Sequence, residues 1–75
     1  MNKKNISKLK REYNELTIRI GNLSAFMRTD EFNNLTEREK SMLLTQFHVM
    51  HVYCIILEDR ISYYEGKPLI FDWEV

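Results

Sequence analysis

Glycine, proline and cysteine are almost missing from this chain, at two, one and one in 75 residues. So few turn-formers leave little to punctuate a run of short strands, which argues against a β-rich or low-complexity architecture. A single cysteine builds no internal disulfide framework. Cys54 also falls on an apolar helix face, so a reduced, cytoplasmic protein with a buried thiol is expected. Charge of one sign is missing too: eleven basic residues balance eleven acidic ones. That removes the general electrostatic pull on which non-specific nucleic-acid binding depends. Long apolar runs are absent as well. The longest, Val52 to Leu57, is far below the roughly 20 residues a bilayer span needs, so no membrane partner is expected. The opening MNKKNISKLKREY carries basic residues with no apolar core behind them and is not expected to act as a secretory signal.

What is present is helical periodicity. Thr36 followed by Glu39 forms a capping box, in which each side chain satisfies a backbone donor at a helix start. Gly66 supplies a C-terminal cap, and Pro68 forbids continuation. Between them Leu43, Phe47, Met50, Cys54, Leu57, Ile61 and Tyr64 recur at steps of four and three, a seam suited to lengthwise packing on another helix. A matching seam precedes it, at Ile6, Leu9, Tyr13, Leu16, Ile20, Leu23 and Met27. Asn5 or Ser7 would cap that first helix. Gly21 inside it marks either a close helix approach or a weak point.

These patterns predict one all-α domain over 1–75: an antiparallel hairpin of two long helices, about 6–28 and about 37–65, with a short helical corner at about 30–35. Thr29 or Asp30 would start the corner, Asn33 and Asn34 would break it, and Phe26, Phe32 and Leu35 would plug the end of the hairpin. The long helix has apolar residues beyond its seam, at Met42, Leu44, Val49, Val52, Tyr53, Ile55 and Ile56. One neighbouring helix shields only one stripe, so a homo-oligomer is expected. The apolar segment 67–75, KPLIFDWEV, is expected to dock on the hairpin, on a neighbouring subunit or on a foreign partner.

Catalytic and metal chemistry find little support in the spacing. Successive steps of three rotate a helix position by about 60°, so His48 and Cys54 diverge by about 120° with His51 between them and cannot close on one ion. The Cys54 and His51 pair lacks the loops that normally present a nucleophile, and no enzymatic activity is expected. Lys3, Lys4, Lys8, Lys10 and Arg11 read as a solvated face diluted by Glu12 and Glu15, so sequence-specific nucleic-acid binding is not expected. A small anionic ligand is a different case, because a few guanidinium groups with stacking aromatics suffice. Arg11, Tyr13, Arg19, Arg28, Arg60 and Tyr64 are the residues available for it, although by spacing alone seam positions such as those of Tyr13 and Tyr64 are more often core than ligand platforms.

The order of REYNEL, LSAFM and DEFNNLTEREKSMLLTQFHVMHVYCIILEDRI, over roughly residues 9 to 62, resembles a family of small helical proteins encoded by crAss-like and other tailed phages. Part of that repertoire is similar to the type 2 anti-CBASS proteins, which sequester cyclic oligonucleotide signals of bacterial immunity between subunits of a helical oligomer. The resemblance implies that Tyr13 stacks on a base, that Arg28 pairs with a phosphate, and that Arg60 and Tyr64 contribute. The expected ligand is a cyclic di- or trinucleotide, with no cofactor and no metal. The alternative is a non-enzymatic module that binds a host or phage protein through the apolar long-helix face and the C-terminal segment.

Overall fold

The computed structural model describes residues 3–66, most of which are helical. Three elements follow in order: α1 (Lys3–Phe26), α2 (Asp30–Asn33) and α3 (Glu37–Tyr64). The expectations placed on 67–75 lie outside the described residues.

Local chemistry accounts for the ends of α2 and α3. At the start of α3 the Thr36 hydroxyl accepts from the Glu39 backbone N–H at 3.1 Å, and the Glu39 carboxylate accepts from the Thr36 N–H at 3.1 Å. Each bond satisfies a donor that the first turn cannot use. At the other end Glu65 donates to the Ile61 carbonyl, and Gly66 turns the chain with φ of 74°. That left-handed conformation costs a residue with a Cβ but not glycine. Thr29 caps α2 by accepting from the Phe32 N–H at 3.2 Å, and Asn34 closes it.

One local expectation needs correction, and one of two alternatives falls away. Asn5 and Ser7 do not cap α1, because the helix already runs from Lys3 through both. Their exposed positions let them be carried at the small propensity cost of polar residues in a helix. Gly21 makes no close helix approach either: it is exposed, and a Cβ added there would meet nothing within 4 Å.

Packing of α1 on α3 supplies the core. Leu9, Cys54 and Leu57 are buried, with Leu57 fully so, and the remaining seam residues of both helices up to Ile61 are half-buried. Partner numbers fall along α3 as they rise along α1: Lys10 meets Glu65 and Tyr13 meets Glu58. At the corner Phe32 is buried and meets Phe26 edge to face, ring centroids 6.1 Å apart. Phe26 and Leu35 also border a cleft of about 430 Å³ with Met42, Leu43 and Gln46.

Burial by α1 leaves the rest of α3 uncovered among the described residues. Met42, Leu44, Val49, Val52, Tyr53, Ile56 and Tyr63 are all exposed. Over one 18-residue window α3 reaches a mean hydropathy of 1.2, so by length and composition alone it is long and apolar enough to cross a membrane. Run length missed this because Thr45, Gln46, His48 and His51 interrupt the apolar residues without cancelling them. The same helix holds Glu58 and Asp59 and spends Tyr53 on a bond of 2.6 Å to Glu12 of α1, polar groups that a bilayer interior would penalise.

Candidate functional site

A groove runs between α1 and α3 on the side where the two seams leave their edges open. Tyr13 reaches it from the middle of α1, half-buried, and donates its hydroxyl to Glu58 Oε1 of α3. This pair divides the groove. On one side lies a cleft of about 320 Å³ bordered by Lys10, Asn14, Ser62 and Glu65. On the other lies a cleft of about 400 Å³ bordered by Thr17, Ile20, His51 and Cys54.

The electrostatics of the groove are mixed. The hydrogen bond to Glu58 holds Tyr13 in its neutral form and pushes its pKa up to about 12, with burial and the Glu58 charge acting in the same direction. Lys10 bridges to Glu65 at 2.6 Å, so a cation and an anion share the first cleft. Burial, and then the Glu58 charge, push the Cys54 thiol up, which works against a nucleophilic thiolate. His51 is exposed and lies near-parallel to the Phe47 ring, centroids 6.2 Å apart. Among the described residues no three His, Cys, Asp or Glu side chains gather as a metal site.

The sequence candidates scatter over the molecule. Tyr13 is in the groove. Arg11 is exposed two residues earlier, a spacing that puts it on a different face of α1. Arg28 is exposed in the turn after α1, where its N–H donates to the Ala25 carbonyl. The thirteen steps from Tyr13 to Phe26 alone span about 20 Å of helix, so Tyr13 and Arg28 of one chain cannot grip the same small ligand. Arg60 is exposed, and its charge is felt at Tyr53; Tyr64 is exposed and packs edge-on against Tyr63, centroids 5.3 Å apart. None of the candidate arginines borders either groove cleft.

Residue spacing did not single out Glu58, Lys10, Asn14 or Ser62 as groove residues. The available signal was faint: Glu58 follows Cys54 by one helical turn, so it flanks the seam at the level where Tyr13 enters. Its partner was not readable, because pairing across 45 residues depends on how one helix is set along the other.

Comparison with known proteins supplies a family. The model described as Sequestin matches residues 3–63. An uncharacterized 7.5 kDa protein from the denB-rIIB intergenic region of Enterobacteria phage T4 is 34% identical over 59 residues, covering 79% of this chain and 92% of the T4 protein. No solved structure matches the chain significantly.

Proposed function

The chain belongs to the Sequestin family, and from that premise we propose that it is a phage anti-defence protein that sequesters a cyclic oligonucleotide immune messenger at a subunit interface. The family match over residues 3–63 carries the reading, because its name denotes sequestration and it spans all three helices. The T4 relative supports the phage setting. The falling partner numbers of α1 and α3 support an antiparallel hairpin as the subunit. The reading further takes that subunit to act as a homo-oligomer in the host cytoplasm, without membrane insertion.

Sequestration makes and breaks no bond. Its mechanism is mass action: a preformed groove lowers the free messenger below the level its effector requires. Tying the Tyr13 hydroxyl to Glu58 fixes the ring before ligand arrives, which reduces the ordering cost of stacking a base on it. Phosphate contacts would come from Lys10 within the chain and from Arg28 of a second copy, since Arg28 of the same chain lies too far along the hairpin. Arg60 and Tyr64, exposed near the far end of α3, are the further candidates, and Arg11 is the least favoured.

Thermal shift with a panel of cyclic di- and trinucleotides tests the reading. A ligand at a hundred times its Kd adds about 2.7 kcal/mol to folding stability, well within detection. Stabilisation by one member of the panel, lost in Tyr13→Ala and reduced in Arg28→Ala, is the expected result; no stabilisation by any member overturns it. The exposed face of α3 favours one rival, a non-enzymatic module that binds a host or phage protein there.

A further inference from the structure

The exposed apolar side chains of α3 are ordered, not scattered. Met42, Val49, Ile56 and Tyr63 are seven residues apart, and the intervening three-and-four steps hold Val52 with the polar Thr45 and Asp59 on either side of it. This is a second heptad stripe, displaced by one to two residues, or about 150° at its centre, from the seam that packs on α1. A repeat of 3.5 residues over four helical levels matches a partner helix carrying the same repeat. Among the described residues α3 itself is that helix.

We propose that a second copy of this chain covers the Met42–Val49–Ile56–Tyr63 stripe, with the two α3 helices side by side in antiparallel order. The proposal builds on the subunit-interface reading above and names the face and the partner that reading needs. Area supports it. Met42, Val49, Val52, Ile56 and Tyr63 are 42% to 68% exposed. Together they present roughly 500 Å² per copy, so two copies would bury about 1,000 Å², the size at which specific interfaces begin. Burial of that surface also answers the small core of the lone hairpin, in which Leu57 alone is fully enclosed among the described residues.

Orientation follows from charge. A parallel pair would set the exposed Arg38 opposite its own copy and align the two helix dipoles. An antiparallel pair opposes the dipoles and brings Arg38 to the Tyr63 end of the partner, where a guanidinium can lie over the ring that is 68% exposed in one copy.

Light scattering on the full chain without nucleotide should give twice the 9.1 kDa chain mass at micromolar concentration. The Val49→Glu/Ile56→Glu variant, altered only at exposed positions, should fall to the single-chain mass with its helical circular dichroism kept. In a Cys54→Ala background, nitroxides on Met42→Cys should lie about 30 Å apart across an antiparallel pair, against about 10 Å across a parallel one. A wild-type monomer, or a variant that keeps both helicity and the doubled mass, overturns the proposal. So does a wild-type monomer that floats with phosphatidylglycerol vesicles and loses that with Val49→Glu/Ile56→Glu, which assigns the stripe to a membrane surface; a short nitroxide distance overturns the orientation. A dimer that binds no cyclic nucleotide keeps this inference and sinks the sequestration reading; a monomer that binds one sinks this inference and the subunit-interface part of that reading, and keeps sequestration itself.

Discussion

Tyr13 and Glu58, 45 residues apart in the chain, are joined by a hydrogen bond from the tyrosine hydroxyl to the carboxylate. Tyr53 and Glu12 repeat the arrangement with the roles of the helices exchanged, at 2.6 Å. Each helix thus gives one tyrosine and accepts one, and the two bonds set how α1 lies along α3.

The first prediction concerns that register. A tyrosine whose folded pKa is raised from 10.0 to about 12 is stabilising while neutral, so its contribution is full below pH 10 and lost as pH rises through about 12. Tyr53 shifts in the same direction, mainly through its bond to Glu12. Tyr13→Phe should cost about 1 kcal/mol at neutral pH, since the freed Glu58 oxygen can reach water. Urea unfolding of wild type and variant should show the gap closing above pH 10, and an unchanged gap across that range would refute the assignment.

Core truncation should be more damaging. Leu57 is fully buried where α3 meets α1, so Leu57→Ala should lose about 2 to 5 kcal/mol through transfer and cavity terms. Exposed Leu44 is the control, and Leu44→Ala should stay within about 0.5 kcal/mol in the monomer. Equal midpoints for the two variants in chemical denaturation would contradict the burial pattern.

The two glycines should answer alanine with opposite signs. Gly21 is exposed in α1 with open space around it, so Gly21→Ala should raise stability by about 0.5 to 1 kcal/mol. Gly66 sits at φ of 74°, so Gly66→Ala should lower stability by about 1 kcal/mol through left-handed strain. Melting temperatures that move the same way for both would refute the contrast.

The cap of α3 gives a fourth test. Thr36→Ala removes the acceptor for the Glu39 N–H and should cost about 1 kcal/mol. The Thr36 N–H and hydroxyl hold the Glu39 carboxyl below its ordinary value, so the cap is fully present above that value and weakens as pH falls through the lowered one. Amide exchange in the first turn of α3 should rise in Thr36→Ala by more than the roughly fivefold that the lost stability brings to the Cys54 region; an equal rise along the helix would argue against a local cap.

Much of this molecule is decided by residues close together in the chain. Thr36 and Glu39 are three apart, and Gly66 follows the last turn directly, so a cap and a stop can be read from composition and order. The two seams are equally local statements, since three-and-four spacing defines a helix face whatever lies against it. Even the surplus apolar side chains of α3 are legible, because one neighbour covers one stripe.

What only tertiary structure decided is which positions of the two seams meet, because many offsets of two regular helices bury similar apolar area and polar bonds choose among them. That choice set Tyr13 on Glu58, Tyr53 on Glu12 and Lys10 on Glu65. The distance from Tyr13 to Arg28, by contrast, is local, since it is the rise of α1 between them. Periodicity alone determined that this chain makes long amphipathic helices with more apolar face than one hairpin can hide. Packing determined where the groove opens, since a groove is made of residues distant in sequence and exists only once both helices are in place.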